Sequence, residues 1–205
     1  MMDGARPMWT ARTTTALLDL LREPRNAEVW QELDSRYRPI AVGFARRLGL
    51  TREDAEDAAQ ETLLRFSRAY TEGRYDRTRG RLRSWMLGIA RRCILDILAL
   101  RSGRREKRGE SALGDLPAVD EMERLWEEEH RRVIRERALH QLRGGTRFDD
   151  RTIRAFELLV MEEKPAAEVA DLVHLSLDSV YAAKHRCARQ LRRIVEELSR
   201  VYEMD

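Results

Sequence analysis

Twelve bases lie between Arg74 and Arg108 against only Asp76, Asp96 and Glu106, an excess of +9. Arg77, Arg79, Arg81 and Arg83 alternate at its start, and Arg91 and Arg92 follow. Basic side chains at this density and of one sign hold a polyanion rather than catalyse a reaction. The opposing reading is a well-solvated helical face, which a one-signed excess of this size does not need. A second basic set, Lys184, Arg186, Arg189, Arg192 and Arg193, closes the chain, and here both readings stand open. Between the two sets, Gly109 to Glu129 carries eight acids against Arg124 alone, a net −7. Two basic surfaces joined by an acidic connector suggest two contacts with one polyanion.

Catalytic and metal chemistry find no residues. The sequence has no Gly-rich phosphate loop and no plausible Ser-His-Asp set. Cys93 and Cys187 lie far apart with no Cys or His beside them at ligand spacing. Reduced thiols in the cytoplasm are expected, without a disulfide, a metal site or a cofactor.

The elements that must carry these charges are helices. Of 205 residues, 5 are Pro and 11 are Gly, too few for a turn-rich β-fold, and Ala, Leu, Arg and Glu abound. No run of 18 or more apolar residues is present, so no membrane span is expected. No apolar stretch follows the first residues to serve as a secretion signal. Periodicity predicts helices over about 13–22, 27–48, 51–70, 82–100, 121–143, 148–162, 165–173 and 177–200. Ser102 to Pro117 reads as a linker. An all-α chain of two small helical domains follows, with residues 1–11 as an uninterpreted extension.

The helix opened by Thr51, with Asp54 three residues on as a capping partner, has two faces. Ala55, Ala58, Ala59, Thr62, Leu63, Phe66 and Tyr70 form a core stripe. Asp57, Gln60, Glu61 and Leu64 share the other side with Glu53. The helix dipole accounts for acids in the first turn. It does not account for Gln60, Glu61 and Leu64 further in, a pattern that suggests a docked partner.

Residues 168–180 have helix-turn-helix spacing. Val169, Ala170 and Val173 can pack on Val180, Ala183 and Cys187, with Ser176 capping the second helix. His174 stands where such turns want positive φ, a region His tolerates. The outward face of the last helix carries Ser179, Tyr181, Ala182, His185, Arg186 and Arg189. Short polar groups near the N-terminus suit base edges, and the arginines behind them suit phosphates. Cys187 falls on the core stripe as a small hydrophobe.

Together these segments resemble the bacterial RNA polymerase sigma factors, in particular the extracytoplasmic-function group of the sigma-70 family. The resemblance covers roughly residues 27–105 and 125–200. Asp54-Ala55-Glu56-Asp57-Ala58-Ala59-Gln60-Glu61-Thr62-Leu63-Leu64 is similar to region 2.2, which implies that Asp57, Gln60, Glu61 and Leu64 bind core polymerase at the β′ clamp helices. Arg81 to Arg92, followed by Asp96, resembles regions 2.3 and 2.4. It implies −10 DNA binding by Tyr75, Arg77, Arg79, Arg81, Arg83, Arg91 and Arg92. The last helices resemble region 4.2, implying −35 recognition by Ser179, Tyr181, Ala182, His185, Arg186 and Arg189. The family often has an aromatic where Leu82 stands, so base capture is expected to lean on Tyr75 or on polar contacts from the 73–80 loop. Trp85 is expected to be wedged in the core.

The implied domains are a region 2 unit at 12–105, an acidic linker at 106–124 and a region 4 unit at 125–205. The linker either threads toward the polymerase RNA channel, as family linkers do, or is a solvated tether. The implied partners are core RNA polymerase (β′ clamp helices and β flap), promoter DNA and an anti-sigma factor, with no membrane. Two rival classes remain. A stand-alone helix-turn-helix regulator would need an apolar ligand pocket. A helical adaptor would not need arginines on the last helix.

Overall fold

The computed structural model describes residues 14–21, 27–106 and 117–203, and those residues form helices and turns without strands. The extension 1–11 and most of the stretch read as a linker lie outside the described residues. The helices are α1 (Thr14–Leu21), α2 (Ala27–Arg47), α3 (Arg52–Thr71), α4 (Leu82–Glu106), α5 (Val119–Gly144), α6 (Asp150–Val160), α7 (Ala166–Val173) and α8 (Leu177–Tyr202). The chain forms two compact units. One runs up to Val133 and takes back the chain end from Val201; the other is Ile134–Arg200.

In the first unit α2, α3 and α4 pack around Leu33, Ile40, Phe44, Ala59, Leu63 and Phe66, all buried. The start of α3 is fixed by Thr51 as the N-cap. Thr51 Oγ1 accepts from the Asp54 N–H at 3.3 Å and donates to the Asp54 carboxylate at 2.8 Å. Arg101 of α4 reaches this same corner, pairing with Asp54 and donating to Thr51 Oγ1 at 3.0 Å. One difference from the sequence reading lies at this end: α4 continues through Ser102 and Gly103 to Glu106 rather than ending near Leu100.

A larger difference concerns the acidic connector. α5 begins at Val119, inside the segment expected to be a linker, and its first half belongs to the first compact unit. Met122 and Trp126, one turn apart, are 1% and 2% exposed, and the Trp126 ring meets Phe44 edge-on with centroids 5.4 Å apart. Glu128 pairs with Arg47 at 2.6 Å, and Glu129 is buried beside it. Burial of two large apolar side chains outweighs the acidic composition. Neither a free tether nor a threaded strand describes residues 119–129.

In the second unit Ala155, Leu158, Val169, Ala170, Val173, Val180 and Ala183 make one core, joining α6, α7 and α8. His174 ends α7 at φ 54°, in the left-handed region, as the turn requires. Ser176 Oγ accepts from the Ser179 N–H at 3.2 Å and opens α8. Burial pushes the Cys187 thiol up to about 11, so it stays protonated and inert at neutral pH.

Candidate functional site

Three surfaces carry the residues singled out above. The first is a groove between α3 and α4. Asp57, Gln60, Glu61 and Leu64 line it from α3, and Arg65, Cys93, Asp96, Ile97 and Leu100 complete it. Leu64 is 45% exposed and Leu100 67%, so the groove has apolar lips within an acidic rim. Arg65 bridges its two walls, donating to Glu61 at 2.6 Å and to Asp96 at 3.0 Å. Sequence periodicity found the α3 half. The α4 half was missed because Ile97 and Leu100 look like ordinary core positions of a helix expected to stop there.

The second surface starts at the 73–80 loop. Gly73 and Gly80 bracket it at φ 71° and 152°, backbone conformations that favour glycine. Asp76 closes a short 3-10 turn, accepting from the Thr78 N–H at 2.9 Å and the Thr78 hydroxyl at 2.7 Å. Those bonds hold the Asp76 carboxyl below the usual carboxylate range. The loop, with Arg81, Ser84 and Trp85, bounds a cleft of about 440 Å³. From there an exposed stripe runs along α4 through Arg81, Ser84, Gly88, Arg91 and Arg92. A Cβ added at Gly88 would meet nothing, so a ligand can approach the backbone closely at that point.

Tyr75 is not a free platform. Its ring stacks on Tyr70 at 6.2 Å and against Trp85 at 5.3 Å, and its hydroxyl donates to the Gly80 carbonyl at 3.2 Å. Trp85 packs on Phe66 but is only half-buried, so it lines the cleft instead of being sealed in the core. Leu82 is 2% exposed and cannot stand in for a stacking aromatic. Arg79 and Arg81 are exposed, whereas Arg83 pairs with Glu127. The Arg77 side chain lies outside the described residues.

The third surface is the outer face of α8. Tyr181 is 49% exposed, and Ala182, His185, Arg186 and Arg189 stand exposed in line with it, while Ser179 is half-buried beside Ser176. Among the described residues no acid pairs with Arg186 or Arg189. Nor is any group of three or more His, Cys, Asp or Glu placed there to hold a metal ion.

Residues 33–106, which run from α2 to the end of α4, match the family model of Sigma-70 region 2. The match takes in about a third of the chain and shows a domain similar to Sigma-70 region 2. Among solved structures, CnrH in complex with the cytosolic domain of CnrY is similar to this chain. The identity is 18% over 88% of this chain and 95% of that one, with a TM-score of 0.35. No curated protein matches. The region 2 match takes in both the α3–α4 groove and the cleft with its basic stripe, and α5 to α8 lie outside it.

Within the first compact unit His130 supplies a pH dependence. Burial pushes its imidazole pKa down and Arg83 adds to this, although Glu127 opposes it. Arg131 also faces it from α5, and the Tyr202 ring lies 5.5 Å away. The unfolded chain therefore takes up a proton near pH 6.5 that the folded chain refuses. Stability falls as pH drops below that value, until the depressed folded pKa is reached. Thermal unfolding between pH 7.5 and 5.5 should show this decline, and His130→Gln should flatten it. An unchanged pH slope in the variant would remove His130 as the cause.

Proposed function

We propose that the chain is a sigma factor of the extracytoplasmic-function group, which binds core RNA polymerase and directs it to promoters through −10 and −35 elements. The observation that carries this reading is the region 2 match over residues 33–106, which spans an acidic, apolar-lipped groove and a basic stripe in one small unit. The chain catalyses nothing itself; it supplies binding energy. Asp57, Gln60, Glu61 and Leu64 dock on the β′ clamp helices.

Opening a duplex costs on the order of 1–2 kcal/mol of stacking per step, and an extruded base costs a few more. Arg79, Arg81, Arg91 and Arg92 hold the separated strand along α4, and Arg77 and Arg83 extend that set. The cleft beside Trp85 receives the unstacked base, and these contacts offset the cost. The second unit places α8 in the major groove of the −35 element, where Tyr181, Ala182 and His185 face base edges and Arg186 and Arg189 face phosphates. No helix among the described residues is long and apolar enough to cross a membrane. The proposed site of action is the cytoplasm, with the polymerase. The β flap and an anti-sigma factor are further partners that the family resemblance implies.

Capture of purified core polymerase by the full chain, followed by run-off transcription from candidate promoters, tests the proposal. Absence of core binding sinks it. Core binding without promoter-dependent transcripts would leave an adaptor.

Tyr75 acts in this scheme as a clasp on the loop. Tyr75→Phe keeps the ring stack and removes only the bond to Gly80. An exposed hydrogen bond of this kind is worth up to ~1 kcal/mol, so promoter opening should slow by roughly 2- to 5-fold with core binding unchanged. Permanganate reactivity of unpaired thymines measures this. An unaltered rate would assign the residue's role to its ring alone.

A further inference from the structure

We propose that the sugar–phosphate backbone of the separated strand lies directly against the α4 backbone at Gly88. This rests on the reading of α4 as the strand-holding element. Gly88 stands well inside the 25-residue helix α4, where glycine is the least favourable residue after proline. Two ordinary reasons for a glycine fail at this position. Its φ is not left-handed, since the positive-φ glycines among the described residues are Gly49, Gly73 and Gly80. Nor does a neighbouring element crowd it, because an added Cβ would meet no atom within 4 Å. Gly43 on α2 shows the contrast, for there an added Cβ would run into the Glu129 carboxylate. Gly88 weakens α4, and no contact among the described residues requires it.

The surroundings of Gly88 suit a polyanionic strand. Arg81, Ser84, Gly88, Arg91 and Arg92 are exposed on one face at helical spacing. At one end of this face Ser84 and Trp85 line the cleft of about 440 Å³; at the other stand Arg91 and Arg92. Among the described residues no acid pairs with Arg81, Arg91 or Arg92, whereas Arg83 on the flank is paired with Glu127. From Arg81 to Arg92 the face extends ~16 Å at the helical rise per residue, the length of several nucleotides. A side chain at position 88 would stand as a post midway between the two sets of donors. Without one, a strand held at both ends settles onto the helix. Its oxygens then meet the second Cα–H of the glycine, and the arginines reach phosphates from both sides. Gly88 therefore lowers helix stability and raises strand affinity.

Thermal unfolding tests the proposal together with fluorescence anisotropy of a labelled single-stranded DNA oligonucleotide, titrated with the full chain at low salt. Gly88→Ala should raise the melting temperature by about 2–6 °C. The same variant should weaken oligonucleotide binding by about 2- to 5-fold, through loss of the close contact. Gly88→Leu keeps a good helix former but lifts the strand away from the arginines, and should weaken binding by roughly 10-fold or more. The same two substitutions at Gly144, which ends α5 and also has open space around it, should leave binding unchanged. Unaltered binding by both Gly88 variants, an equal loss from the Gly144 variants, or a lower melting temperature for Gly88→Ala each overturns the proposal. Arg91→Ala with Arg92→Ala separates it from the reading on which it rests. Weaker binding by that double variant beside unaffected Gly88 variants removes the close approach and keeps α4 as the strand-holding element. Undiminished binding by the double variant removes α4 from that role, and the close approach with it.

Discussion

Replacing Gln60 and Glu61 together by Lys is expected to abolish capture of core RNA polymerase while leaving helix content and thermal unfolding nearly unchanged. Both side chains line the α3–α4 groove away from the buried stripe of Ala59, Leu63 and Phe66. Among the described residues the bond lost is the Glu61–Arg65 pair, an exposed i,i+4 contact worth about 0.3–0.5 kcal/mol. Arg65 keeps Asp96 at 3.0 Å. Against a partner selected for an acidic rim, reversed charge costs several kcal/mol, which amounts to about 100-fold or more in affinity. Pull-down or anisotropy with core polymerase reads this loss. Retained binding would mean that the groove is not the docking surface. Loss of circular dichroism would mean misfolding, which the geometry does not predict.

The second large effect belongs to α8. Arg186→Ala with Arg189→Ala should weaken −35 duplex binding and −35-dependent initiation by roughly 10- to 100-fold, with core binding intact. Two lost phosphate contacts lower the slope of log K against log salt by about 2. The salt slope is the informative readout, because it separates lost phosphate contacts from lost base contacts. Neither arginine touches the core of Val180, Ala183 and Cys187, so the unit should unfold at the same temperature. An unchanged slope would place the DNA elsewhere. Simultaneous loss of core binding would point to a global defect.

The two predictions depend on features of different legibility. The α8 face could be read directly, since outward and inward residues of one helix separate by period alone, and the left-handed His174 followed from its place in the turn. The α3 face was legible for the same reason. The groove as a whole was not, because its second wall comes from α4, and nothing local to Ile97 or Leu100 says that α3 leaves them uncovered. Tyr75 shows a similar limit. Its type invites a stacking role, but its hydroxyl bond to Gly80 and its place between Tyr70 and Trp85 arise only when the loop folds back.

The chain's own pattern determined its helices, its caps, the two faces of α3, the helix-turn-helix and the sorting of charge into blocks of opposite sign. All of these depend on neighbours within a turn or two. Tertiary structure alone decided what the blocks do to one another. The acidic stretch before Glu129 reads as a solvated connector by composition. Yet Met122 and Trp126 bury themselves in the first unit, Gly43 makes room for Glu129, and Glu127 lands on Arg83. Burial of a few large apolar side chains, set by contacts distant in sequence, outweighs the local preference of many charges for water.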